Sequence, residues 1–245
     1  MTARTKPATG LLLLFASGTR PNVEAFQSAL SEASPVSISH RPDGENWLEL
    51  LIDGMTFDCT GLSPGKGAAA PYFRNIVALS KPDEGPFEAI QLAASEHLAA
   101  GASSLPVMRG LAAVGLHLAE KFAPVAIGWP PASAQIATGV FRHIVSGWLD
   151  GGPFPAPGLI AFSRNSAGEM ESEGLSYFTG QELHLSADLV ADQGSAMRIG
   201  TRLVNELVGH APLSSSLKAT GTDGRTIWME PSVDGKRIMV TGHTD

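Results

Sequence analysis

Apolar positions along the chain form two kinds of run, and their order predicts the elements. Leu11 to Ala16 is an unbroken apolar stretch between Gly10 and Ser17-Gly18, the pattern of a strand buried on both faces. Val23, Phe26, Ala29, Leu30 and Ala33 then recur at helical spacing, with Pro21 suited to a first turn and Pro35 to a stop. Val36 to His40 alternates apolar residues with serine, and Trp47 to Thr60 reads as one or two strands bending at Asp53-Gly54. A helix is predicted from Phe87, carrying Ile90, Leu92, Ala93 and Ala94, followed by a short strand near Leu98 to Ala102. A second helix from Pro106 to Phe122 presents Val107, Leu111, Val114 and Leu118 on one face.

Val125 to Trp129 repeats the form of Leu11 to Phe15, and the same order of elements follows it. A helix is predicted over Ile136 to Leu149, a strand over Gly158 to Ser163, a strand-associated segment over Glu173 to Leu185, and a helix over Gly194 to Val208. Asp192 is placed to cap that last helix and Gly209 to stop it. Asp223-Gly224 and Asp234-Gly235 signal turns around a strand at Ile227-Trp228-Met229 and its return at Arg237 to Thr241. The string Asp53-Gly54-Met55-Thr56-Phe57 is echoed by Glu173-Gly174-Leu175-Ser176-Tyr177. Together these features predict an α+β fold of two similar βαββα-type halves with mixed sheets, helices on the outer faces and a C-terminal β-meander. Residues 1–9 read as a flexible tail, 10–122 as an N-terminal half, and 123–245 as a C-terminal half, the two packed as one unit, their likeness open to two origins, internal duplication or chance between two α+β segments.

Composition narrows the partners. At 245 residues, 43% hydrophobic and 17% charged, the chain can bury a large core. A net charge of −7 with no cluster of Lys and Arg argues against nucleic acid, whose binding needs cations to displace counterions. The longest aliphatic run, Leu11 to Leu14, falls far short of the ~20 residues that span a bilayer, so no membrane segment is expected. Cys59 is the single cysteine, which excludes an intrachain disulfide and fits a cytoplasmic location.

Motifs that resemble catalytic signatures fail on chemistry. Gly61-Leu62-Ser63-Pro64-Gly65 fits the nucleophile-elbow pattern, yet the residue that should lend its N–H to an oxyanion hole is Pro64, which has none. Gly65-Lys66-Gly67-Ala68-Ala69-Ala70 fits a relaxed dinucleotide pattern, yet Pro71 interrupts the helix that pattern must open. The seven histidines include no pair at metal-ligand spacing, so neither metal nor cofactor is expected. Carboxylates gather once: Glu171, Glu173 and Glu182 surround the second glycine motif with Tyr177 and His184 nearby, which makes Glu173, Glu182 and His184 candidate acid–base groups. Glu171, Tyr177 and Trp129 are candidate binding residues beside them.

The run Pro124-Val125-Ala126-Ile127-Gly128-Trp129-Pro130, followed by a helix and then by residues 173–185, resembles the bacterial family catalogued as domain of unknown function 4261. The resemblance covers about residues 87–210, with His184 in place of a second acid, and it implies an α+β protein of bacterial origin with weight on Glu173, Gly174, Phe178, Gly180 and Glu182. It implies no substrate. The sequence therefore predicts a non-catalytic binding or interaction module, with a protein partner or a homo-oligomer. The alternative is a small-molecule hydrolase using Glu173, Glu182 and His184. In the non-catalytic case Glu182→Gln is expected to matter little, whereas Gly174→Val is expected to cost ~1–3 kcal/mol.

Overall fold

The structure, a computed structural model, describes residues 10–30, 34–79, 87–190, 193–220, 224 and 226–243. The expected tail at 1–9, the break at 80–86, the cap Asp192 and the turn residue Asp223 lie outside them. The chain divides into two compact units, Met1–Gly152 and Pro153–Asp245. Both are α+β with mixed sheets, and strands close the chain.

The first unit contains β1 (Leu11–Phe15), α1 (Val23–Ala29), β2 (Ser37–His40), β3 (Trp47–Ile52), β4 (Met55–Thr60), β5 (Asn75–Val77), β6 (Glu88–Ala94), α2 (Leu105–Phe122), β7 (Ala126–Trp129), β8 (Ala134–Ala137) and α3 (Thr138–Leu149). Its sheet runs β2-β3-β4-β6-β1-β7-β8-β5, antiparallel except where β5 lies beside β8. All five residues of β1 are buried because both faces are covered. Leu11 meets α2, where a Cβ on Gly115 would stand 2.8 Å from its Cδ1, while Leu12 and Leu14 pack with Phe73 from the loop beneath. Asp53 and Gly54, at φ of 48° and 76°, form the two-residue turn that joins β3 to β4.

Three expectations are corrected here. The segment from Phe87 is a strand, not a helix: Ala and Glu favour a helix, but β6 fills the slot between β4 and β1 and pairs along both edges. The strand expected near Leu98 is a 3₁₀ turn, Glu96–Gly101. The boundary expected at 122/123 falls at Gly152/Pro153, because β7 pairs with β1 instead of opening a new sheet.

The second unit contains α4 (Ala156–Leu159), β9 (Ala161–Arg164), β10 (Met170–Glu173), α5 (Ser176–Thr179), β11 (Glu182–Leu185), α6 (Gln193–Leu207), β12 (Leu217–Thr220), β13 (Thr226–Pro231) and β14 (Arg237–His243). Its sheet runs β12-β13-β14-β11-β10-β9, with only β11 and β14 parallel. Strand alternation places Phe162, Met170, Leu183, Leu185, Ile238 and Val240 on the face that α6 covers. Glu171, Glu173, Glu182 and His184 fall on the opposite face. The helix α6 ends where Gly209 adopts φ of 93°.

Candidate functional site

The antiparallel pairing of β10 with β11 sets Glu171 directly opposite His184. That register explains the first contact, an approach of 3.0 Å between His184 Nδ1 and Glu171 Oε1. The other ring nitrogen, Nε2, lies 3.2 Å from Glu169 Oε2, in the turn before β10. Carboxylate oxygens only accept, so this arrangement is satisfied when both ring nitrogens donate, as they do in the imidazolium form. The His184 side chain is only 11% exposed. Asn165 builds the turn: its Oδ1 accepts from the amides of Ala167 and Glu169 at 3.0 and 3.1 Å. Its Nδ2 donates to Glu169 at 2.8 Å, and this bond, followed by the one from His184, holds the Glu169 carboxyl below the usual range.

Glu182 has a different set of partners. After β10 the chain turns through Gly174, at φ of 102°, into the single helical turn of α5, so consecutive amides point one way. Glu182 Oε1 accepts from the amides of Gly174 and Ser176 at 2.9 and 3.0 Å. Its Oε2 accepts from the amide of Leu175 at 3.1 Å and the hydroxyl of Ser172 at 2.5 Å. Four donors thus occupy the two oxygens. Ser172 in turn accepts from the Leu183 amide at 2.7 Å, tying the cradle to the ladder. Gln181, next in the chain, is buried and bonds the Leu213 amide and the carbonyls of Leu213 and Gly235, which fixes the entry to β11.

The remaining candidates are placed separately. Glu173 ends β10, half-buried and opposite Ala161. Tyr177 stands edge-on to Phe178 at 5.1 Å, and burial pushes its phenol up. Trp129 belongs to the first unit, where it is 0% exposed in the core of β7. Of the residues that the sequence grouped, Glu171 and Glu173 lie on β10 and Glu182 and His184 on β11, where Glu171 meets His184 and Glu182 turns to the amides of Gly174, Leu175 and Ser176. The partners Glu169, Asn165 and Ser172 were not among the candidates. The Asn-x-x-Gly-Glu spacing of the turn was the available signal for the first two.

A second loop that resembled chemistry in the sequence is also tied internally. Gly61 to Gly67 wraps around Arg20, whose side chain is 7% exposed. Its Nε donates to Glu88 at 2.9 Å, Nη2 to the Gly65 carbonyl at 2.8 Å, and Nη1 to the Gly61 carbonyl. The Arg20 bond, then one from the Gly18 amide, holds the Glu88 carboxyl below its usual range. Ser63 donates its amide to Pro21, so the loop is a connector laid across the sheet rather than a strand-to-helix elbow.

Cys59 is fully buried in β4, and burial followed by the Asp58 carboxylate pushes its thiol up, away from nucleophilic use. Among the described residues no group of three or more His, Cys, Asp or Glu side chains could hold a metal ion. Among them, too, no helix is long and apolar enough to cross a membrane. No protein family model, curated protein or solved structure matches the chain.

Proposed function

We propose that the chain is a non-catalytic binding or interaction module of the bacterial cytoplasm, acting on a protein partner or on its own copies. The observation that carries this reading is the saturated Glu182 carboxylate. A general acid or base needs an oxygen within reach of a substrate proton, whereas both oxygens of Glu182 already accept from Ser172, Gly174, Leu175 and Ser176. His184 is likewise committed to Glu169 and Glu171. Surface for a partner is available elsewhere: Tyr72 is 86% exposed, and Ile76 is exposed on the sheet-edge strand β5.

The test is turnover of a panel of chromogenic esters, phosphomonoesters and glycosides by the wild-type chain and by Glu182→Gln and His184→Gln. The expected result is no turnover above that of a heat-denatured control. A hydrolysis that both substitutions abolish while circular dichroism stays native would overturn the reading in favour of the hydrolase.

A further inference from the structure

The second unit also carries a partly open cavity whose origin lies in the small residues of α6. Ala196 and Gly200 are one turn apart on the face that meets the sheet. At Gly200 the helix backbone comes down on the strands: a Cβ there would stand 2.8 Å from the Phe162 ring and 3.2 Å from Met170 Cε. One turn earlier Ala196 offers only a methyl group, and a cavity of about 130 Å³ opens between Ala196, Met197 and Val190 on one side and Phe162, Ser163, Arg164 and Met170 on the other.

Five of those seven lining residues are apolar, and Ser163 and Arg164 are the exceptions. The Arg164 guanidinium is fixed in place, because Nε donates to the Gly168 carbonyl at 3.2 Å and Nη2 to the Val190 carbonyl. Among the described residues no carboxylate pairs with it. A cavity of about 150 Å³ lined by Leu, Ile and Phe takes up benzene, and Phe162, Met170, Val190 and Ala196 offer an aromatic ring the same kind of apolar surface. A fixed guanidinium in the wall adds a preference for planar anions.

We propose that this cavity binds a small apolar carboxylate of the size of benzoate, with its ring among Phe162, Met170, Val190 and Ala196 and its carboxylate on Arg164. The ring is held by area burial and by the Phe162 face, the carboxylate by a charge-assisted pair at the rim. The site goes beyond the interaction reading above and stands independently of it, since none of its walls belongs to the Glu182 cradle.

Titration of ¹⁵N-labelled full-length protein with benzoate, and with benzyl alcohol as the uncharged isostere, tests it by amide shifts. Benzoate is expected to give saturable shifts centred on Phe162 to Arg164, Val190 and Ala196-Met197, and benzyl alcohol to bind at least about tenfold more weakly. Ala196→Phe, which fills the cavity, is expected to abolish the response, and Arg164→Met to equalise the two probes. Equal affinity of wild type for both probes removes the anion from the proposal without needing any variant. Shifts that do not saturate, or that survive Ala196→Phe in a folded protein, remove the site.

Discussion

The loop around Arg20 and the loop around Glu182 are opposite solutions to one problem. In the first unit a cation gathers carbonyl oxygens from a glycine-rich segment; in the second a carboxylate gathers amide hydrogens from a glycine turn. Both looked like ligand-binding sequence, and each is closed by a side chain of its own unit. What differs is the group left behind when the side chain is removed. Buried amides without acceptors are costly, whereas carbonyls near the surface have two lone pairs and find water more easily. The acidic cradle is therefore the more fragile of the two.

That difference can be broken by substitution. Glu182→Ala strands three amides and a hydroxyl and is expected to cost about 3 kcal/mol or more in urea unfolding. Glu182→Gln keeps one acceptor and is expected to cost about 1–2 kcal/mol. This revises the expectation from sequence that a non-catalytic Glu182 would be nearly silent. Arg20→Met leaves two carbonyls and Glu88, for about 2 kcal/mol. If Arg20→Met proves the more damaging, the proposed asymmetry between the loops is reversed.

A glycine pair sharpens the same contrast. Gly174, at φ of 102°, aims the amides at Glu182, so Gly174→Val is expected to cost about 2 kcal/mol. Gly54 sits at φ of 76° in an open turn with no atom within 4 Å of an added Cβ, so Gly54→Ala should cost only about 1 kcal/mol. Equal melting temperatures for the two variants would mean that the second copy of the echo is no more than a turn.

The smallest effect is in acid. Glu88 and Glu169 both have folded-state carboxyls held below the usual range, the first mainly by Arg20 and the second mainly by Asn165. Their stabilisation is present above the ordinary glutamate range and is lost as pH falls through the depressed values. Carboxyl ¹³C titrations are expected to show Glu88 rising in Arg20→Met and Glu169 rising in Asn165→Ala. A Glu169 that titrates unchanged in Asn165→Ala would take that bond out of the account.

Periodicity located the elements whose environment is one-sided or wholly apolar. The regular spacing of α2 and α6 and the unbroken apolar run of β1 were legible because burial alone dictates them. Strand β6 was not, because Glu-Ala-Ile-Gln-Leu-Ala-Ala is locally helical and only its two neighbours make it a strand. The echo between Asp53-Gly54 and Glu173-Gly174 was legible as glycine turns, since both glycines take positive φ. Its second copy acquires its role from Glu182, eight residues beyond Gly174. No local pattern specifies which carboxylate a set of amides will receive.

The position of β1 also sets a kinetic condition. This first and most hydrophobic strand lies in the middle of its sheet, between β6 and β7, which come much later in the chain. Folding of the first unit must close those long loops before β1 is covered on either edge. Until then Leu11–Phe15 presents an uncharged, proline-free edge capable of pairing with other copies. The interval between synthesis of β1 and arrival of β7 is the period in which the protein is most exposed to aggregation.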